Sequence, residues 1–302
     1  MNASDKKITL FSLPVIVAAL GYFVDIYDLL LFTIVKKTSM LGVGSTEATL
    51  LVDSTRVINW QMTGLLLGGI IWGVLADKKG RLSVLFGSII LYSTANFATG
   101  FVTTVDQYAW ARFIGGLGLA GELGAGITLV SELLPKNKRG VGTSMVAGIG
   151  LFGAVAAYFT YQYTKDWRLC YKIGGVLGIC LLLLRVKVAE SGMFAAAKAS
   201  EVVKGNFFML INNGKRFKKY FFAILIGLPT WYVIGILLNQ SDRFGKAMFA
   251  STTIDSGRAI MFGYVGIAIG DILIGLVSQY FKSRKKALLL FYGLTMLGLL
   301  FY

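Results

Sequence analysis

The sequence contains no histidine, and it has only two cysteines, three prolines and 15% charged residues. Without histidine the chain cannot build an imidazole metal site, a Ser-His or Cys-His dyad, or an imidazole proton relay. Cys170 and Cys180 lie on one predicted helix, about 15 Å apart along its axis, which is too far for a disulfide. We expect no enzyme, no catalytic residue, no cofactor and no metal site, and any proton that is carried must ride on a carboxylate.

Apolar residues dominate the chain. They make up 56% of it, the mean hydropathy is +0.70, and they fall in blocks of roughly 20, the length that crosses about 30 Å of hydrocarbon. The sequence therefore predicts an all-α, multi-pass membrane bundle. The predicted helices lie at about 10–35, 57–76, 82–101, 108–134, 140–164, 168–186, 218–240 and 257–281, with a ninth that begins near 287.

Basic residues outnumber acidic ones by 30 to 15, and their distribution predicts the orientation. With the N-terminus inside, 20 Lys and Arg residues, Arg185 among them, lie in cytoplasmic connections and eight, including Lys36, lie on the opposite side. Arg112 and Lys172 remain inside spans. The positive-inside rule thus predicts a cytoplasmic N-terminus in a cell (inner) membrane, and the charge of +15 is assigned to topology and lipid headgroups, not to nucleic acid.

A short basic hairpin occurs twice, each time between two apolar spans. The first copy covers 73–81 and the second covers 275–286. One hairpin at the same relative place in two halves is typical of transporters built by internal duplication, which bind substrate between the halves. We predict a six-helix N-terminal half at 1–186, a cytoplasmic linker at 187–217 and an incomplete C-terminal half at 218–302.

Three patterns in this order resemble the major facilitator superfamily, in the branch of sugar porters and metabolite–proton symporters. Gly-x-Leu-Ala-Asp-Arg/Lys-x-Gly-Arg-Arg is met at 73–82 except for its last position, Arg-x-x-x-Gly-x-Gly-x-Ala at 112–120, and Glu-x-x-Pro-x-x-x-Arg-Gly at 132–140. The resemblance implies the major facilitator fold, with about 9 of 12 helices present in an apparently C-terminally truncated chain. It also implies a cytoplasmic gating motif of Gly73, Asp77, Gly80, Arg81, Glu132 and Arg139, and a second-half motif of Asp271, Gly275, Arg284 and Lys285.

The hairpin also has a physical interpretation. Gly80 allows the chain to turn, Gly73 allows close helix approach, and Asp77 faces nearby basic side chains. A solvated positive-inside loop is the alternative to a latch between the halves.

Five ionisable residues inside predicted spans are the functional candidates, because each costs about 2.5–3.5 kcal/mol at a helix centre. They are Asp25, Asp28, Arg112, Glu122 and Asp271. The two aspartates share one face of the first helix at a depth that overlaps Arg112, so we predict a carboxylate–guanidinium pair that captures and releases a proton. A static structural pair, a neutral hydrogen-bonded Glu122 and a packing role for Asp271 are the alternatives.

The sequence Asp25-Ile-Tyr-Asp28 resembles the Asp-x-x-Asp of aromatic-acid and lactate/sialate-type proton symporters, which implies an organic acid as substrate. An anion would use Arg112 or Lys172, whereas a sugar or polyol would need only hydrogen-bonding side chains. The residues that we predict to line a cavity, unless most of them form a lipid-interface belt, are Tyr22, Gln61, Tyr158, Trp231, Asn239 and Gln240.

We predict a monomeric, proton-coupled symporter of a small organic metabolite that works by alternating access in the lipid bilayer. Its partners are a small-molecule substrate and protons, with no nucleic acid. A sugar or polyol symporter and a non-transporting truncated fragment are the alternatives. A proton antiporter is disfavoured because Gly148, Gly150 and Gly153 in the fifth helix occur without the accompanying proline.

Overall fold

The computed structural model describes residues 11–79, 81–134, 139–190, 207–249 and 252–301. Within these ranges it is built of helices, and they contain no β-strand. Six helical segments of the described chain are long and apolar enough to cross a membrane, so the predicted all-α, multi-pass fold is confirmed. The α-helices are α1 (Leu13–Gly42), α2 (Leu50–Lys79), α3 (Arg81–Thr99), α4 (Val105–Leu133), α5 (Arg139–Thr164), α6 (Trp167–Glu190), α7 (Gly214–Tyr232), α8 (Ser241–Ala247), α9 (Ser256–Tyr280) and α10 (Arg284–Leu300).

The predicted seventh helix, 218–240, is interrupted. Pro229 lies inside α7, and the chain continues as a π-helical segment, Val233–Leu238, before the seven-residue α8. Proline lacks an N–H and crowds the carbonyl four residues before it, which perturbs the α-helical ladder. π-helical turns occur often at functional sites. The short α8 was not predicted, because seven residues that include charged side chains give no apolar block.

The first six helices, α1–α6, pack around α1, and we call them the first bundle. In α1, 78% of an apolar stretch of 18 residues is buried, and α1 contacts α4, α5 and α6. Helix α4 lies close to its neighbours at the two glycines of its sequence pattern. A Cβ at Gly116 would collide with the Gln61 carbonyl of α2, and one at Gly118 would lie 2.6 Å from the Tyr92 nitrogen of α3. These glycines therefore let α4 approach both helices.

The remaining helices, α7–α10, form a second group that rests on the first bundle mainly through α9. Helix α9 packs along α5 and also contacts α1. Near its start, Gly257 lies against Ile34 and Tyr158, and Met261 belongs to an apolar cluster of the first bundle. No residue of α7 is buried. We call the end of the molecule that carries the α2–α3 and α9–α10 connections the basic end, and the other the opposite end.

Candidate functional site

The two aspartates of α1 lie in the interior of the first bundle. Asp25 is 0% exposed and Asp28 is 2% exposed, and none of their four carboxylate oxygens has a hydrogen-bond partner in the part of the chain that the structure describes. Asp28 is directed towards α6, where its oxygen occupies the space that a side chain at Gly174 would fill. Buried carboxylates without partners are costly, which makes these two residues candidates for a functional site.

Arg112 of α4 is buried beside these acids but is bonded to neutral groups. It donates hydrogen bonds to Asn96 Oδ1 and to Thr99 Oγ1, the second at 3.2 Å, and its guanidinium lies 4.6 Å from the centre of the Tyr171 ring. Asp28 lies within electrostatic range of Arg112 and next to the Asn96 amide, but neither group reaches hydrogen-bonding geometry with its carboxylate. The predicted contact between a carboxylate of α1 and Arg112 is therefore corrected, because Asn96 and Thr99 of α3 take the guanidinium.

Glu122, also on α4, forms a buried ion pair with Arg185 of α6. Their side chains are 1% and 8% exposed, and both lie against Gly21 of α1, where a Cβ would displace them. The sequence interpretation placed Arg185 in a cytoplasmic connection, and this was wrong. Helix α6 continues to Glu190, so Arg185 lies within the helix and is turned into the bundle.

Asp25 lies within electrostatic range of Asp28, Glu122 and Arg185, which joins the groups into one set. We call Asp25, Asp28, Arg112, Glu122 and Arg185 the charged centre. It contains three carboxyl groups and two guanidinium groups, so its formal charge with every group ionised is −1. One bound proton would make it neutral. Arg112 Nε, Glu122 Oε2 and Arg185 Nη1 of this centre also have no hydrogen-bond partner in the described chain, and neither does the nearby Tyr92 hydroxyl.

A further set of polar side chains lies where α1 meets α9. Tyr22 of α1 packs into the gap at Gly150 of α5 and lies within electrostatic range of Asp271 and Asp25. Tyr264 of α9 is buried next to it. Asp271 is half-buried on α9. The structure thus brings the predicted Tyr22 and Asp271 together between the two helix groups.

The other predicted cavity residues have different surroundings. Gln61 is buried and donates to the Leu29 carbonyl at 3.4 Å, which joins α2 to α1. Tyr158 is buried in the apolar cluster at the opposite end. Trp231 is 57% exposed on α7, as a lipid-interface residue would be. Asn239 is buried, and Gln240 is half-buried beside it at the junction before α8.

The predicted gating motif lies at the basic end. Gly73 and Asp77 line a cavity of about 720 Å³ together with Arg216 and Tyr220 of α7. A Cβ at Gly73 would meet no described atom within 4 Å, so the described residues show no close helix approach there. In the second copy, Gly275 faces Ser144 of α5 and the first two residues of α10 are exposed: Arg284 and Lys285. Gly80 and the side chains of Arg81, Glu132 and Arg139 lie outside the described residues.

Sequence reasoning missed two buried cations. Arg185 directly follows an unbroken apolar run, 181–184. A glutamate predicted at mid-span, Glu122, needs a cation as its partner, so the sequence did contain a signal for a buried arginine. Lys36 was placed on the opposite side, yet it is 6% exposed and bonded to the second group. Lys172 is half-buried on α6, and its ammonium lies 4.2 Å from the centre of the Phe101 ring. It is not part of the charged centre.

The chain is similar to several proteins that are named as transporters. A sialic acid transporter of Escherichia coli is 26% identical over 324 residues, which cover 100% of this chain and 76% of the relative. A niacin transporter of Acinetobacter baylyi is 32% identical over 179 residues, 58% of this chain and 40% of the relative. The structure of a proton:xylose symporter bound to 6-bromo-6-deoxy-D-glucose is similar in fold, with a TM-score of 0.64, 14% identity, and coverage of 88% of this chain and 68% of that one.

These relatives are named as transporters, not as enzymes, and the matched segment spans less than half the length of the niacin transporter. The family model of the Major Facilitator Superfamily matches residues 8–302, nearly the whole chain. The helices, the paired basic hairpins and this match agree. The chain belongs to the Major Facilitator Superfamily.

Proposed function

We propose that the protein is a secondary active transporter that moves a small organic acid together with at least one proton by alternating access. The observation that carries this proposal is the charged centre, in which Asp25 and Asp28 are buried without hydrogen-bond partners in the described chain, beside Arg112. In a chain without histidine a transported proton must be carried by a carboxyl group, and Asp25, Asp28 and Glu122 are buried carboxyl groups of the described chain.

The charge count supports proton coupling. An uncompensated charge in a low-dielectric interior is expensive, and arginine does not give up its proton. The single negative charge in excess is therefore removed most readily by protonation of a carboxyl group. Of the three, Glu122 is held by Arg185, whereas the oxygens of Asp25 and Asp28 have no hydrogen-bond partner among the described residues. We assign the transported proton to Asp25 or Asp28.

The surroundings of Arg112 support an anionic substrate. Its guanidinium is bonded to the neutral side chains Asn96 and Thr99, and its Nε has no partner in the described chain. Protonation of Asp28 would remove a carboxylate charge that acts on Arg112, and a substrate carboxylate could then take its place on the planar fork of the guanidinium. Proton binding and anion binding would thus favour each other, as thermodynamic linkage requires.

The names of the relatives favour the same substrate class. Sialic acid and niacin each carry a carboxylate. The xylose symporter shares the fold at 14% identity, so a sugar or polyol remains the second candidate on the fold alone. Gln61, Tyr22 and Tyr264 could hydrogen-bond such a substrate.

The remaining assignments follow from charge distribution and are part of the proposal. The excess of basic residues at the basic end supports a cytoplasmic N-terminus in a cell membrane. There the gating motif, with Asp77 facing the same cavity as Arg216, would hold or release the second group during transport. We propose that the carrier acts as a monomer, since its charged centre lies wholly within one chain.

Thermal unfolding of the purified protein at pH 5.5 tests the substrate class. The ligands are sialic acid, niacin, xylose and nicotinamide, which has the ring of niacin but a neutral amide in place of the carboxylate. Ligands that bind the folded state raise the midpoint of unfolding. We expect one of the acids to raise it, and nicotinamide and xylose to leave it unchanged. Stabilisation by xylose and by neither acid would overturn the organic-acid proposal.

Variants of the charged centre test the proton coupling in vesicles that contain a pH-sensitive dye. Arg112→Lys keeps the charge but loses the planar fork, so we expect at least about a tenfold lower uptake of the stabilising acid. Asp28→Asn removes one site for the proton, and acid-driven uptake should lose most of its pH dependence. Asp106→Asn is the matched control, because that carboxylate is exposed and paired with Arg56 at 2.7 Å. Unchanged uptake at pH 6 and pH 8 in both variants would remove the two residues from the mechanism.

A further inference from the structure

Lys36 of α1 is buried at the contact between the first bundle and the second group, at the opposite end of the molecule. Its ammonium donates to the Asn239 carbonyl at 3.0 Å and lies 3.7 Å from Asp242 Oδ1. The side chain of Lys36 is 7% exposed and that of Asp242 is 34% exposed. A lysine at this depth is stable only when it is paired, so its partners in the second group hold it there.

The contact extends through a continuous set of hydrogen bonds. Asn239 Nδ2 donates to Thr33 Oγ1 at 3.1 Å, one helical turn from Lys36. Ser256, the first residue of α9, donates to Asp242 Oδ1 at 2.7 Å. Four elements are joined in this way: α1, the junction before α8, α8 itself and the start of α9. We call Thr33, Lys36, Asn239, Asp242 and Ser256 the α1–α8 network.

The network lies where the second group is least regular. Asn239 directly follows the π-helical segment Val233–Leu238, and α8 has only seven residues. A π-helical turn and a short helix can change their backbone angles with little loss of packing, so this junction can move relative to α1. The partners of Lys36 thus belong to the movable side of the contact.

We propose that the α1–α8 network is a latch that holds the two helix groups together at the opposite end, and that it must break whenever the protein opens to that side. This inference rests on the proposed alternating access. Breaking the latch exposes Lys36 and Asp242 to water, which solvates both charges and offsets the lost bonds. Arg243 also lies within electrostatic range of Lys36 and repels it. The attraction between Asp242 and Lys36 opposes this repulsion.

A cysteine introduced into α9, beyond the latch on the side of the charged centre, tests whether the latch holds this end closed. Met261 of α9 is 8% exposed and packs into the apolar cluster of the first bundle, so the thiol introduced by Met261→Cys reacts with a maleimide only when this end opens. Cys180 is exposed and is replaced by serine. Cys170 is 0% exposed and is kept, because its labelling would report unfolding of the first bundle.

The latch is broken by Lys36→Met, and Lys37→Met is the matched control. Lys37 is the next residue on α1, but its ion pair with Glu47 at 2.9 Å is exposed and joins two parts of the first bundle. We expect Lys36→Met to speed labelling of the introduced thiol by about tenfold, the effect of losing about 1.4 kcal/mol of closure. Asp242→Asn should speed it by a smaller factor, because Lys36 keeps the Asn239 carbonyl. Lys37→Met should leave the rate unchanged.

Equal labelling rates in Lys36→Met and Lys37→Met, with Cys170 unlabelled in both, would overturn the latch. If Lys36→Met exposes Cys170, the milder Asp242→Asn decides, and a rate equal to that of Lys37→Met overturns the proposal. The double variant Lys36→Met/Asp242→Asn should be no faster than Lys36→Met, since both changes act on one contact. Labelling needs no transported substrate, so it can succeed while the organic-acid proposal fails, and the reverse.

Discussion

The middle and the end of α1 both bury charge, and they differ in how that charge is satisfied. At the end, Lys36 has a hydrogen bond to the Asn239 carbonyl and an ion pair with Asp242. In the middle, the four carboxylate oxygens of Asp25 and Asp28 have no partner in the described chain. Helix α1 therefore carries a paired cation near one end and, at its centre, two carboxyl groups without a hydrogen-bond partner in the described chain.

The difference agrees with the two roles that we propose for these regions. A latch has to be stable in one arrangement of the two helix groups, so its groups are paired across the contact. A proton carrier has to exist in two protonation states, so at least one carboxyl group cannot be locked by a permanent cation. Glu122 with Arg185 is the locked pair of the charged centre, and Asp25 with Asp28 is its open part.

The largest effect on stability is expected from Glu122→Gln. This change leaves Arg185 buried without its carboxylate, and breaking one partner of a buried pair costs about 3–5 kcal/mol. Unfolding of the protein in mixed detergent micelles measures the loss. Glu122→Gln/Arg185→Met removes both charges and should recover much of it. A loss in Glu122→Gln as small as that of a surface pair would show that the Arg185–Glu122 pair is not a structural lock.

An intermediate effect is expected from Gly118→Ala. The added Cβ would lie 2.6 Å from the Tyr92 nitrogen, so α4 must move away from α3, and such overpacking costs about 1–3 kcal/mol. The matched control is Gly69→Ala in α2, where a Cβ meets no described atom within 4 Å, and it should be neutral or stabilising by up to about 1 kcal/mol. The same unfolding experiment measures both, and equal effects would contradict the close α3–α4 contact.

The smallest effect is expected from Lys37→Met. Its ion pair with Glu47 is 62% and 68% exposed at the two side chains, and exposed pairs contribute about 0–1 kcal/mol. Lys36→Met removes a buried, hydrogen-bonded charge at the next position and should cost more. Denaturation curves of the two variants give the ratio, and a larger loss for Lys37→Met would reverse the comparison between buried and exposed charge.

Much of the fold could be predicted from the sequence, because hydropathy and helix length are local properties. The long helices of the described chain, the glycine pattern of α4 and the buried positions of Asp25, Asp28, Arg112 and Glu122 all follow from short stretches of residues. The positions at which helices end could not be predicted as closely. Helix α1 continues past its predicted end near 35 to Gly42, because Lys36 and Ser39 are buried by packing that hydropathy does not register.

The pairing inside the site could not be predicted, because it depends on which helices face one another. Arg112 and the acids of α1 have matching depths, yet Asn96 and Thr99 of α3 reach the guanidinium first. Arg185 lies near the end of a predicted span, where a basic residue usually belongs to the loop. Only the position of α6 against Gly21 of α1 shows that Arg185 turns inwards to Glu122.

The central claim is that the charged centre takes up one proton when an anionic substrate binds. Titration calorimetry of the stabilising acid at pH 7, in buffers of different ionisation enthalpy, gives the number of protons taken up per bound ligand. We predict about one proton for the unchanged protein, because the carboxylate of the bound ligand adds a second negative charge to the centre and so favours protonation of Asp25 or Asp28, and none in at least one of Asp25→Asn and Asp28→Asn. Proton uptake that is absent in the unchanged protein, or that persists in both variants, would contradict the account.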